Sequence, residues 1–176
     1  MFSAVNAILL LYFYEKVRGA HFWFFGTLST STWIYAKIAI IIAIVLLLIS
    51  MFLVRLMNSL ILGDEIAKTL GIEPSRARLI LLSLAATSSS ILIAFTGPIG
   101  FIGLIAPHIA RLLVGHDHRA LIPLSALIGA SLILSADLFA RLGVRPSELP
   151  LGAITAAFGV PFFLYLLIKS RGKYGF

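Results

Sequence analysis

The sequence predicts an all-α fold, a polytopic bundle of helices that cross a lipid bilayer. Three observations carry this. Charged residues make up 12% of the 176 residues and hydrophobic ones 60%, whereas ordinary globular domains carry about 25% charge. Mean hydropathy is +1.07. The apolar residues also gather into long runs: Ile38 to Val54 (38–54, seventeen residues) and Leu79 to Pro107 (79–107, twenty-nine) hold no Asp, Glu, Lys or Arg. A bilayer core of about 30 Å needs roughly 20 helical residues to cross it. With no cysteine there is no disulfide, thiolate metal site or iron–sulfur cluster. The net charge of +7 fits Lys and Arg gathered at one membrane face and does not call for nucleic acid. Met1 leads into Val5 to Phe13, and Glu15, Lys16 and Arg18 follow without a small-residue cleavage site, so no secretory signal is expected.

Taken in order, residues 1–14 are apolar but too short to cross alone, and read as the tail of a span. Glu15 to His21 is a polar connection. Phe22, Trp23, Phe24 and Phe25, then Gly26 and a Thr/Ser run to Trp33, place aromatic rings at the headgroup level. The next span covers 33–56. From Leu79 the apolar run would reach roughly 44 Å as one helix, too far for one crossing. Gly97-Pro98 and Gly100 break it, because proline loses a donor and clashes with the preceding turn. One span is therefore 79–96 and a short return is 100–114, with Pro107 adding to its irregularity. Backbone broken at that depth is tolerated where protein buries it or water reaches it. Gly115 to Arg119 (GHDHR) is a turn whose Asp117 can cap the next helix. That helix, 120–140, has small residues at Ser125/Gly129 and Ala126/Ala130, a spacing that permits close packing in lipid. The last span is 149–168, and Lys169, Arg171 and Lys173 form a basic tail. The expected architecture is about five complete spans and a partial N-terminal one.

Between the second and third apolar segments lies a polar island, 57–73 (MNSLILGDEIAKTLGIE). Ser59 precedes the apolar trio Leu60, Ile61 and Leu62, and Gly63 interrupts as a helix terminator. Asp64 and Glu65 stand where the first turn of a second short helix favours negative charge. Ile66, Ala67 and Leu70 share about one face of it, and Gly71 stops it before Glu73-Pro74. Two short helices with an apolar face need something to cover that face. Two readings fit: a helix pair lying on lipid, and a docking knob for a soluble protein. Because span ends alternate between faces, the island shares its face with Arg55, Lys68, Arg76, Arg78, Arg111, Arg119, Lys169, Arg171 and Lys173, nine basic residues. The opposite face has Lys16, Arg18, Lys37, Arg141 and Arg145, five. The positive-inside tendency then puts the island, the GHDHR turn and the C-terminus in the cytoplasm.

Other constellations are weaker. No G-x-x-x-x-G-K-[ST] occurs, so the chain does not itself cradle nucleotide phosphates. His116-Asp117-His118 lacks the further ligands of a metal site. His108, after Pro107, is either a functional intramembrane group or a neutral side chain satisfying carbonyls that the proline frees. Gly129-Ala130-Ser131 lacks the trailing glycine and the base of a serine-nucleophile motif, and reads as packing. Asp137 and Arg141, four apart, can pair at the end of a helix. Alternatively, Arg141 presents charge outward to an acidic partner.

Together the motifs carry a resemblance. They are W-x-x-G-x-L at Trp23, Gly26 and Leu28; N-x-L-x-L-G-D-E-x-A at Asn58 to Ala67 with Leu70-Gly71; and GPIGFIGLIAPHIARLLVG at Gly97 to Gly115. DHR at Asp117 to Arg119, SALIGASLILSAD at Ser125 to Asp137, ELPLG at Glu148 to Gly152 and G-x-P at Gly159 to Pro161 follow in order. The chain resembles the FecCD-type permease family of ABC importers for iron–siderophore complexes, haem and vitamin B12. The resemblance implies a type II importer permease bundle, of which this chain is the C-terminal half. It implies that 57–73 forms coupling helices seated in a groove of an ATPase subunit, through Asn58, Leu60, Leu62, Gly63, Asp64, Glu65, Ala67, Leu70 and Gly71. Arg141 would meet acidic residues of a substrate-binding protein at the outer face. The last span would line the pathway and the interface with a second permease copy, with Thr155, Ala156 and Phe158 as wall residues. Gly97, Pro98, Gly100, Gly103, Pro107 and His108 would be structural. The implied activity is inward movement of an iron or related metal chelate through the cell membrane, not enzymatic catalysis. ATP sits on the partner, no cofactor or metal is bound by this chain, and nucleic acid is not a partner. The different-class alternative is a non-transporting interaction or regulatory protein, or an inactive truncated permease, that keeps the docking loop.

Overall fold

A computed structural model describes residues 25–29, 31–143 and 149–171. The partial span over 1–14, the aromatic cluster up to Phe24, Arg145, Glu148 and the tail from 172 lie outside the described residues. Regular structure among the described residues is helical: α1 (Trp33–Phe52), α2 (Val54–Ile61), α3 (Asp64–Thr69), α4 (Pro74–Thr96), α5 (Ile102–Val114), α6 (His118–Leu142) and α7 (Leu151–Arg171). In lipid every backbone polar group must find a partner within its own segment, which is why these apolar runs fold as helices.

Among the described residues, four helices are long and apolar enough to cross a membrane: α1, α4, α6 and the Leu151–Lys169 stretch of α7. The fifth expected span, 100–114, is only the 13-residue α5, about 20 Å long at about 1.5 Å per residue. It is the short return expected after the break at Gly97-Pro98. The expected 33–56 span also ends early. The helix breaks at Leu53, whose N–H is shared by Ile49 O and Ser50 O (3.1 Å each), and 54–56 belong to α2. Ser59 lies inside α2, and its hydroxyl donates back to Arg55 O (2.7 Å). α4 begins at Pro74, five residues before Leu79, with proline in the first turn, where its missing N–H costs nothing. α6 runs slightly past both ends of the expected 120–140, whereas α7 starts at Leu151, after the expected 149, and runs on past 168 to Arg171.

The bundle has two ends. At one end α2 and α3 sit beside the 115–118 turn. At the other, residues 25–28, the 97–101 break and the start of α7 meet. Along its length α5 packs closely on α6: a Cβ built on Gly129 would lie 3.6 Å from Ala106 Cβ and Ile102 Cγ2. Ala126 and Ala130 are exposed, so only the Gly129 face of the small-residue pattern is used in this contact. A small core of Ala136, Ala140 and Leu151, covered by Leu28, Ile99, Ile133 and Ile154, ties α6 to α7 at the second end. α1 has no buried residue, and its apolar side chains are free to meet lipid or further protein.

Candidate functional site

The bracket formed by α2 and α3 is held from both sides. Gly63 joins the two helices at φ 104°, ψ 160°, a backbone region that only glycine adopts easily. Gly71 (φ 76°) ends the bracket. Within it Ala67 is fully buried, whereas Leu62 (58%), Ile66 (47%) and Leu70 (59%) are exposed. Ile66, Ala67 and Leu70 thus divide: Ala67 seats the helix, and the larger two offer apolar surface outward. Asp64 receives two bonds from the Arg78 guanidinium, the longer at 3.1 Å, which ties α3 to α4. Glu65 is exposed.

On the other side the bracket is latched to α6 through Asn58. Its Nδ2 donates to Asp117 Oδ1 (2.8 Å). Its Oδ1 accepts from the His118 backbone N–H (3.1 Å) and lies 2.7 Å from His118 Nδ1. A carbonyl oxygen only accepts, so Nδ1 carries the proton in this arrangement. Rotating the amide would set its NH₂ against the His118 N–H, which fixes its orientation. Asp117 is the N-cap of α6 as expected, accepting from the Arg119 N–H (3.0 Å). That N–H, and then the Asn58 amide, hold its carboxyl below the usual value of 3.8, since both stabilise the charged form. The His116-Asp117-His118 turn is therefore a capping and latching element. No group of three His, Cys, Asp or Glu side chains suited to a metal occurs among the described residues.

At the opposite end the motif glycines mark a crossing of backbones. Thr27 N–H donates to Thr96 O (2.8 Å), Leu151 N–H to Gly26 O (3.0 Å) and Gly152 N–H to Phe25 O (2.9 Å). A Cβ on Gly26, whose φ is 74°, would lie 2.6 Å from Pro98 O. A Cβ on Gly152 would run into Phe25 O and lie 3.1 Å from Pro98 O. Gly97 (φ 70°) ends α4, and Phe101 (φ 67°) starts α5 in the left-handed region, a strained state for a residue with a Cβ. Its ring fills the space where a Cβ on Gly159 would stand. Gly97 and Pro98 thus stand at this crossing, and Gly159 leaves room for the Phe101 ring. Gly100 and Gly103 have open space around them, and nothing in their surroundings demands glycine.

Arg141 pairs with Asp137 (Nε to Oδ2, 2.8 Å) at this second end. Thr155 is buried (3%) and Phe158 exposed (64%). Both line an apolar cleft of about 210 Å³ with Ile102, Ile105, Leu132 and Phe139, whereas Ala156 does not reach it. His108 stands edge-on to the Phe162 ring at 5.8 Å and, with Arg111, borders a separate opening between α5 and α7. Sequence reasoning missed that Asn58 meets Asp117 and His118, and that Asp64 meets Arg78. An asparagine on an amphipathic turn and a motif aspartate were each visible, but not their pairing across about 60 residues.

Known proteins share this fold. The profile of the FecCD transport family matches residues 1–169. The chain is 41% identical over 167 residues to the cobalamin import system permease protein BtuC of Halobacterium salinarum, covering 95% of this chain and 45% of that protein. It is 41% identical over 169 residues to the Fe(3+) dicitrate transport system permease protein FecD of Escherichia coli K12, covering 96% and 53%. A solved inward-facing conformation of an ABC transporter, assigned there to the metal-chelate type, superposes with a TM-score of 0.80 at 32% identity, covering 96% of this chain and 55% of that one. The chain spans about half the length of the curated relatives it matches. From the motifs, the helix order and these matches together, the chain belongs to the FecCD transport family of membrane permeases.

Proposed function

We propose that this chain forms the C-terminal half of the permease of a binding-protein-dependent ABC importer, which moves an iron–siderophore or related metal chelate into the cell. A separate ATPase subunit supplies the energy, and the chain itself catalyses no reaction. The observation that carries this is the bracket: two short helices, fixed to α4 and α6, that present Leu62, Ile66 and Leu70 to solvent. Such a face is shaped for a soluble partner, and in this reading it seats in a groove of the ATPase. Asn58, Leu60, Leu62, Gly63, Asp64, Glu65, Ala67, Leu70 and Gly71 form or shape the seat. Movement of the ATPase on binding and hydrolysing ATP shifts the bracket, and packed helices carry the shift to the pathway.

The bracket end faces the cytoplasm, together with the C-terminus, and the Arg141 end faces outward. There Arg141 meets acidic residues of the binding protein. Thr155, Ala156 and Phe158 on α7 belong to the pathway or to the interface with a second permease copy. Co-purification of the full permease with its ATPase, combined with chelate uptake, tests the reading. Gly63→Trp or Glu65→Arg is expected to reduce both complex formation and uptake; if neither variant changed either, the coupling role would be lost. Arg141→Glu is expected to weaken binding-protein association and leave the ATPase complex intact.

A further inference from the structure

α7 is held firmly over its first half and barely over its second. Its buried residues are Leu151, Thr155 and Gly159, one every four positions, so they share a face. Leu151 joins the core with Ala136 and Ala140, and the Leu151 and Gly152 N–H groups donate to Gly26 O and Phe25 O. From 160 to 169 no residue is buried. Past the His108–Phe162 edge contact, α7 stands off α5 across an opening of about 410 Å³, with Phe163 and Leu166 facing Leu104, Pro107 and Arg111. The change falls where the helix is weakest. Pro161 lies inside α7 and has no N–H, so Ala157 O loses its helical partner. Gly159, two residues earlier, adds backbone freedom. The other interior prolines are braced on both sides. Ile105, Ala106 and Ala110 are buried around Pro107, and Leu121 and Gly129 around Pro123. Beyond Pro161 there is no such brace.

We propose that Gly159–Pro161 is a hinge in α7, that the Phe101 ring is its fulcrum, and that residues 160–171 are an arm that opens and closes against α5. A Cβ on Gly159 would overlap Cβ, Cγ and Cδ1 of Phe101, so ring and helix meet with no room between them. Phe101 immediately precedes α5 at φ 67°, a left-handed state that persists in a residue with a Cβ only where its surroundings fix it. The fulcrum is therefore fixed to α5, while the helix that bears on it can bend at a proline, where kinks exceed about 20°. Ile168 lies seven residues past Pro161, about 10 Å along the axis, so a bend of about 20° moves it by about 4 Å. Closing narrows the opening at the bracket end and leaves the half before Gly159 in place. The arm then gates the inner end of the pathway, an assignment that rests on reading α7 as a pathway helix and the bracket end as cytoplasmic.

The test is pulsed electron paramagnetic resonance on the complete permease with its ATPase in nanodiscs, freed of any cysteine elsewhere, since this chain has none. Spin labels at Leu112→Cys and Ile168→Cys, both exposed, span the opening between α5 and the arm. Labels at Leu138→Cys and Ala153→Cys, also exposed, span α6 and the fixed half of α7. Between the nucleotide-free state and one holding a non-hydrolysable ATP analogue, the first distance is expected to change by about 4 Å and the second to hold. Pro161→Ala restores the missing N–H with a good helix former, so the chain folds. It is expected to cut the first change by about half and to lower chelate uptake. Phe101→Ala is expected to broaden the first distance distribution in both states. Equal changes in the two pairs overturn the hinge, because α7 then moves as a rod. So does a first pair that never moves, as when another part of the permease packs on the arm, or a movement that Pro161→Ala leaves intact. An unbroadened distribution in Phe101→Ala overturns the fulcrum. Failure of the parent to bind its ATPase would instead remove the importer reading. The hinge is then judged on the permease alone, where Pro161→Ala is expected to narrow the first distribution and an unchanged width overturns it.

Discussion

Substituting Gly152 by alanine strikes the crossing of backbones that closes the second end of the bundle. The new Cβ would collide with Phe25 O and sit 3.1 Å from Pro98 O. Both are main-chain atoms, so no side-chain rotation relieves the clash. The start of α7 must move away from residues 25–27, stretching the Gly152–Phe25 and Leu151–Gly26 bonds, now 2.9 and 3.0 Å. Overpacking of this sort costs about 1–3 kcal/mol, and weakening one of the two bonds adds about 1 kcal/mol. A loss of about 2–4 kcal/mol lowers the unfolding temperature by about 4–16 °C in a protein of about 150–250 residues, and by about half as much in a permease of twice that length. Gly103→Ala is the matched control: it lies in α5 with nothing within 4 Å of its Cβ. Alanine there gains up to about 1 kcal/mol of helix propensity, so its midpoint should hold or rise. Thermal unfolding of the complete permease in nanodiscs, followed by size-exclusion chromatography, reads both. Equal shifts in the two variants, or a Gly152→Ala midpoint within about 1 °C of the parent, would refute the crossing as a point of close approach, given the slope expected for this size.

Three further outcomes follow from the bracket. Gly63→Ala adds no clash, since nothing lies within 4 Å, but φ 104° and ψ 160° penalise any Cβ by about 1–3 kcal/mol; titration against the ATPase should show weaker binding without loss of fold. Asp64→Ala removes an exposed ion pair worth roughly 0.2–1 kcal/mol, so the unfolding midpoint should move only slightly. The carboxyl of Asp117 is depressed below 3.8, so its capping contribution is complete above that value and is lost as pH falls through the lowered one. The protection of the Arg119 amide, its exchange rate relative to the intrinsic rate at the same pH, should therefore fall on acidification in the parent, and Asp117→Ala should show low protection at every pH.

The spans were legible because bilayer thickness imposes a length on apolar runs, and because Gly97-Pro98 leaves a mark that composition does not hide. The cap at Asp117 and the acidic first turn of α3 were equally plain, being local electrostatics. The bend at Leu53 was not. No glycine or proline stands at 52–54, and the run stays apolar through Val54, so periodicity alone continues the helix. The short α5 was legible in its boundaries, Gly100 and Gly115, which mark it as a brief return after the break. The glycines at 26, 152 and 159 were visible as motif letters, yet their reason lies in Phe25, Pro98 and Phe101, which fold back on them from elsewhere in the chain. The Asn58 latch belongs to the same class, a contact made by topology between residues that each have a local role.

The central claim is that the α2–α3 bracket lies on the cytoplasmic face and is gripped by an ATPase. Since the chain carries no cysteine, a single Leu62→Cys or Leu70→Cys reports on that surface without background. In membrane vesicles of both orientations, a membrane-impermeant thiol reagent should label these positions only from the cytoplasmic side, and bound ATPase should protect them. Labelling from the outside, or reactivity that the ATPase leaves unchanged, would contradict the account.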